Sequence, residues 1–241
     1  TKESQREISV QAANNAIESA RGISYPNALN LPIDESKIPH FVKPYIELTQ
    51  KMAFLLAQLS KSEIRSINIT AEGEISEYLD SLQTFATVGV LAVSCGDEVN
   101  YVNANFIAKE KGIDLTTSEF SNHSGYQNKV SINITTPTGV KTISGTVFNE
   151  DVQRIAEING FPLDIEPKGK MIIMRNHDVP GVIGEVGKIL GNNNINIADF
   201  RLSRGKDGAL AVILIDEKAC SDVLKKLDSL EAAIAVAYAE I

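Results

Sequence analysis

The chain has 241 residues, 43% of them hydrophobic and 22% charged, with 23 basic against 31 acidic side chains and a net charge of −8. Such a composition fits a soluble globular protein of one to three domains with ample core, and the acidic balance without a dominant basic stretch argues against nucleic acid as a partner. No apolar run approaches the roughly 20 residues of a membrane span, and the polar start TKESQREIS lacks a signal-peptide core, so a cytoplasmic protein without membrane contact is expected.

Residues 3–20 repeat apolar side chains at helical spacing, among them Ile8, Ala12, Ala13, Ala16 and Ile17, and Gly22 ends the pattern. Residues 25–44 hold Pro26, Pro32, Pro39 and Pro44 without long periodicity and read as an extended linker, the clearest boundary in the chain. A lone helix before a linker cannot bury its own face and must dock elsewhere. Residues 45–59 form a second strong helix, and residues 66–71 alternate as a strand. Residues 75–93 read as helical, in two parts around Gly89, and a turn or short strand at 98–104 leads into a helix that Gly112 stops. Strands follow at 115–120 and 129–135, with Thr138-Gly139 as a hairpin turn and 140–148 as the return strand. Residues 152–158 read as a short helical or turn segment, 161–165 as a strand, and 166–169 (EPKG) as a second, short boundary. Cys95 and Cys220 lie far apart, form no metal or redox motif, and read as reduced, buried thiols.

The most informative stretch is 172–200, IIMRNHDVPGVIGEVGKILGNNNINIADF. An apolar run, Met171 to Met174, has the length of a buried strand, and a polar cluster, Arg175, Asn176, His177 and Asp178, follows it. Asp178 stands where a helix N-cap belongs, with Pro180 in the first turn. Val182, Ile183, Val186, Ile189 and Leu190 then make one apolar face, while Gly184 and Gly187 suit a helix lying close to a neighbouring backbone. Gly191 and the three asparagines after it end the helix. A strand-to-helix turn presents unpaired backbone N–H groups at the positive end of the helix dipole, and such a turn can hold a carboxylate. Asn176, Asp178 and Asn196 add side-chain donors and acceptors, an acceptor such as Asp178 suiting an ammonium. Together they fit a free amino acid; a capped helix with a polar loop and no ligand fits the same residues. From residue 170 onward the order strand, helix, strand, strand, helix, strand is that of a ferredoxin-like split βαβ module, whose sheet is expected to be covered by helices on one face only. An open face and open edges favour pairing with a second copy.

These residues carry a family resemblance. Asn176-His177-Asp178-Val179-Pro180-Gly181-Val182 followed by Asn194-Ile195-Asn196-Ile197 resembles an ACT domain, a small amino-acid-binding module appended to metabolic enzymes. Tyr101-Val102-Asn103-Ala104, Lys111-Gly112-Ile113, Ile143-Ser144-Gly145-Thr146 and Ile158-Asn159-Gly160 resemble the intervening allosteric substrate-binding domain of long-form D-3-phosphoglycerate dehydrogenases. Residues 1–22 resemble that family's last helix before the domain, and 25–30 its linker. The resemblance implies an α+β chain with a terminal helix and linker at 1–44, an intervening α/β domain at 45–168, and a ferredoxin-like βαββαβ ACT domain at 169–241. It further implies L-serine as a feedback effector held between two ACT modules, with Asn176, Asp178 and Asn196 as side-chain contacts, the backbone of Val179, Pro180, Gly181 and Val182 for the carboxylate, and a homo-oligomer through the ACT domains. A hinge is expected between residues 22 and 44. The intervening domain is implied to bind a phosphorylated substrate or another anion. His123, Lys129 and Lys141 are the local cations, with Ser121, Asn122 and Ser124 as neutral donors; a solvated loop with scattered lysines is the alternative.

The family's catalytic half does not map onto this sequence. There is no G-x-G-x-x-G, the glycines at 181, 184 and 187 are spaced three and three, and none of His40, His123 and His177 has a visible acid partner. No catalytic residue, metal ligand or cofactor is therefore assigned; NAD belongs to the parent enzyme, and the chain is expected to lack dehydrogenase activity alone. A component of an iron–sulfur L-serine dehydratase is the competing enzyme reading, but a cluster site needs three or four cysteines.

Overall fold

The computed structural model describes residues 2–20, 38–60, 62–119 and 125–241. Most of the proline-rich linker and expected hinge, residues 21–37, lies outside them, as do His123, Ser121, Asn122 and Ser124. The first helix, α1 (Lys2–Ala20), carries Ile8, Val10 and Ile17 exposed, an apolar face without cover among the described residues.

Three α-helices and a six-stranded sheet form the intervening domain. Helix α2 (Val42–Gln58) begins earlier than periodicity suggested, because Pro44 falls in its first turn, where no amide donor is needed. Strand β1 (Ser66–Glu72) precedes a 3-10 helix, Glu74–Tyr78, that runs into α3 (Leu79–Cys95). The break in this helical stretch is thus at Tyr78, not Gly89. Gly89 instead lies where α2 and α3 touch: a Cβ there would meet the Gln50 carbonyl oxygen at 2.4 Å. By length and hydropathy the stretch Glu74–Glu98 is apolar enough to cross a membrane, yet its Leu82, Ala86, Val90 and Leu91 are packed into the domain core.

Helix α4 (Ala104–Glu110), β2 (Asp114–Glu119), β3 (Lys129–Thr136), β4 (Gly139–Phe148), β5 (Val152–Ile158) and β6 (Phe161–Ile165) complete the domain. The strand order is β2-β1-β3-β4-β5-β6, with β1 and β2 parallel and the remaining pairs antiparallel. Residues 152–158 are therefore a strand, not the helical or turn segment expected. Alternation sends Ile67, Ile69, Val130, Ile132, Ile134 and Ile143 inward onto Leu48, Met52, Leu55 and Leu56 of α2. The opposite face is polar and self-bonded, with Asn68 donating to Thr116 at 2.9 Å and Asn133 donating to Asn68 at 3.2 Å.

Residues 170–240 form the second sheet: β7 (Lys170–Asn176), α5 (Val182–Asn192), β8 (Ile197–Gly205), β9 (Gly208–Ile215), α6 (Ser221–Asp228) and β10 (Ala233–Glu240). Helix α6 is shorter than its apolar pattern, and Cys220, just before it, is exposed rather than buried. The order β10-β7-β9-β8 is that of the split βαβ motif. On one face, Ile172, Met174, Ala211 and Ile213 pack under α5 and α6. The other face is not open, as expected from the motif alone. Met171, Ile173, Leu210, Val212 and Leu214 join the core cluster of the intervening domain. The two central strands are apolar at consecutive positions, 171–174 in β7 and 209–215 in β9, because both of their faces are covered.

Gln58 fastens the two sheets at one corner. Its side-chain amide donates to the Glu240 carbonyl at 3.0 Å and accepts from the Glu240 amide at 3.1 Å, standing in for a neighbouring strand at the β10 edge. Replacing Gln58 with alanine should cost about 1 kcal/mol, since the contact is exposed. Thermal unfolding should show a fall of about 2–4 °C; an unchanged transition would mean that the amide adds nothing to the junction.

Candidate functional site: a cleft where β7 meets α5

Strand β7 ends at Asn176, and the chain turns through His177 to Gly181 before entering α5. The residue at the helix N-cap is Gly181, in the left-handed conformation at φ 97°, and no side chain caps the helix. Asp178 therefore does not act as the cap. Its carboxylate instead faces Arg204 near the end of β8, with Arg204 Nε 3.3 Å from Asp178 Oδ2.

A cleft of about 470 Å³ opens at this turn. Met174, Phe200, Leu202 and Ala211 form its apolar floor, residues 178–184 one wall, and Arg204 the other. Asn176 lies at its base, 2% exposed. The Asn176 side-chain nitrogen donates to the His177 carbonyl at 2.8 Å, while its oxygen is buried with no hydrogen-bond partner. A buried acceptor left unpaired is costly and waits for a donor. The amides of Val182, Ile183 and Gly184 open the helix, where intrahelical acceptors do not exist. Val179 and Ile183 stand half-exposed at the rim. Gly184 and Gly187 have open space above them rather than the neighbouring backbone expected.

The hairpin of β8 and β9 locks the base of the cleft. A Cβ on Gly208 would come within 2.5 Å of the Asn176 carbonyl oxygen, so the β9 start can approach only as glycine. Beside it, Arg175 stacks on Phe161 of β6, 4.6 Å from the ring centroid, and donates to the Asp207 carbonyl at 2.9 Å. The cleft is therefore braced directly against the intervening domain.

The predicted residues do not all converge. Asn176, Asp178, Val179, Pro180, Gly181 and Val182 line the cleft. Asn196 does not: it precedes β8 at the opposite end of the sheet, where its amide donates to Asp216 Oδ2 at 2.6 Å and its backbone N–H to Glu217 at 2.7 Å. Eight residues of extended chain from 196 to 204 put it about 26 Å from the cleft. Arg204, Phe200 and Leu202 were not anticipated; their alternation along the strand after Ile197 is the signal that places them on one face. Among the cations of the intervening domain, Lys141 donates to the Leu59 carbonyl at the end of α2, and Lys129 lies over the Tyr126 ring at 5.9 Å. They occupy opposite ends of their strands, since Lys141 pairs with Ile134 and Lys129 with Glu72.

Family models match in two places: residues 41–159 as a D-3-phosphoglycerate dehydrogenase intervening domain and residues 170–232 as an ACT domain. The chain joins a D-3-phosphoglycerate dehydrogenase intervening domain to an ACT domain. It is 34% identical over 216 residues to the D-3-phosphoglycerate dehydrogenase of Bacillus subtilis, covering 89% of this chain and 41% of that protein. To the D-3-phosphoglycerate dehydrogenase of Archaeoglobus fulgidus it is 29% identical, covering all of this chain and 46% of the relative. To that of Synechocystis it is 27% identical, over 94% and 42%. The chain thus spans less than half the length of these relatives, and its two domains in this order correspond to the C-terminal regulatory half of the family. The cleft lies wholly in the ACT domain.

Proposed function

We propose that this chain is the regulatory portion of a cytoplasmic NAD-dependent D-3-phosphoglycerate dehydrogenase, and that its ACT domain binds L-serine as a feedback effector. The observation that supports this most is the polarity of the cleft. Asn176 Oδ1 and the Asp178 carboxylate are acceptors suited to an ammonium, and the same cleft holds helix-start amides suited to a carboxylate. A zwitterion of a few heavy atoms matches both ends. The residues do not fit NAD: Gly184 and Gly187 lie inside α5 rather than in a phosphate-binding turn. The oxidoreductase chemistry and its cofactor belong to the catalytic half of the relatives.

The position of Asn196 favours a pair of chains. Strand β8 is an edge of its sheet. Two β8 edges placed antiparallel about a two-fold axis bring the Asn196 end of one beside the Arg204 end of the other, so the partner's Asn196 completes the cleft. Serine bound across that seam couples two copies, and coupling of this kind is typically worth ~1–3 kcal/mol. An anion site in the intervening domain would rest on Lys129 and the loop before it, because Lys141 is committed to the end of α2.

Calorimetric titration with L-serine tests the reading. The wild-type chain should bind, and Asn196→Ala should bind at least tenfold more weakly, about 1.4 kcal/mol. The Asn196 side chain is exposed, so its loss should leave the fold intact. No binding heat with the wild type would refute the effector assignment; equal affinities would refute the shared site.

A further inference from the structure

We propose that Arg204 joins the helix-start amides in receiving the ligand carboxylate in the ACT cleft, and that its ion pair with Asp178 is exchanged for contacts to the two ends of a zwitterionic amino acid. The proposal rests on the amino-acid reading above and adds to it a residue and a rule of selection. Four observations carry it. Arg204 lines the cleft, on the same face of β8 as Phe200 and Leu202, which pack under the helices. Its Nε lies 3.3 Å from Asp178 Oδ2, so opposite charges already face each other across the mouth. Both side chains are solvent-accessible, at 73% and 39%. Asn176, whose buried side-chain oxygen has no partner among the described residues, lines the same cleft.

An exposed pair of this kind contributes little to stability and opens at small cost. An incoming ammonium takes the Asp178 carboxylate and Asn176 Oδ1 together. The guanidinium released from Asp178 takes the ligand carboxylate, where a two-pronged contact is stronger than a single neutral bond. No bond is made or broken, and the charge count of the site is unchanged by a net-neutral ligand.

Selectivity follows from the same exchange. An amine without a carboxylate must break the Asp178–Arg204 pair and leaves Arg204 without a counter-charge. An acid without an ammonium strands Asp178. Each half-ligand meets a repulsive or unpaired charge, which is how a site discriminates against near-matches. The free pair therefore acts as a stand-in for the ligand, with the two charges in reversed roles.

The test compares L-serine with ethanolamine, which keeps the ammonium and hydroxyl but lacks the carboxylate. Both are titrated calorimetrically into the wild-type chain, Arg204→Gln and Arg204→Lys, with thermal melts recorded for each. In Arg204→Gln, L-serine should bind at least tenfold more weakly, with Arg204→Lys intermediate. Ethanolamine should bind Arg204→Gln at least as tightly as wild type, because Asp178 is released from its partner. Equal L-serine affinity in wild type and Arg204→Gln overturns the proposal while leaving the effector reading in place. A parallel loss of both ligands with a lowered melting temperature also overturns it, since that marks a purely structural arginine. If L-serine fails to bind wild type, the effector reading itself falls, and the proposal with it.

Discussion

Gly89→Ala should lower the melting temperature by about 4–8 °C. The added methyl would sit 2.4 Å from the Gln50 carbonyl oxygen, 3.0 Å from Ala53 Cβ and 3.1 Å from the Phe54 amide nitrogen. Two of these are backbone atoms of α2 and cannot rotate aside. The helices must separate, yet α2 also carries Leu48, Met52, Leu55 and Leu56, all fully buried against the sheet. Overpacking against fixed backbone atoms falls at the upper end of the usual range, about 3 kcal/mol. The intrinsic helix preference of alanine over glycine returns only about 1 kcal/mol. A net loss of about 2 kcal/mol gives the stated shift for a chain of this size. Differential scanning calorimetry decides it: a variant that melts at or above the wild-type temperature would mean that α2 and α3 can slide apart freely.

Asn176→Ala should weaken L-serine binding by about 30–100-fold. The side chain is 2% exposed and its oxygen has no partner in the protein, so the ligand's ammonium would be its natural donor. A hydrogen bond to a charged group is worth about 1.5–3 kcal/mol. The free protein should lose little stability, because the variant removes an unsatisfied acceptor along with the bond to the His177 carbonyl. Titration calorimetry beside a thermal melt separates the two effects. Weak binding with a normal melt is the expected result; binding within threefold of wild type would take Asn176 out of the contact set.

Periodicity and turn chemistry made most of the fold legible. The βαββαβ order could be read directly from residues 170–241, and so could the hairpin at Thr138-Gly139. Strand β5 could not, because its pairing is irregular on both sides. The register shifts between Ser144 and Gly145 against β4 and between Ile155 and Glu157 against β6. Ile155 and Ala156 are consequently both buried, and the two-residue alternation that marks a strand is lost. The turn after β7 was read as a candidate ligand site, and a cleft does open there, but its local chemistry differs from the reading. Asp178 has the sequence credentials of an N-cap, and an arginine 26 positions later claims it, a competitor that no local rule reveals. The separation of Asn196 from the cleft does follow from topology. In a split βαβ unit, β7 and β8 run parallel with β9 between them, and α5 carries the chain back to the starting end of the sheet. The covered second face was hidden for another reason: a strand buried on both sides reads as a continuous apolar run, whichever domain supplies the cover.

That shared face sets where the polypeptide can be cut. An ACT fragment excised at residues 166–169 would carry Met171, Ile173, Leu210, Val212 and Leu214 into water as a bare greasy floor, and it should clump unless another surface is supplied to sit beneath it. For the same reason the ACT module should not transplant between enzymes as a free cassette; its foundation must travel with it.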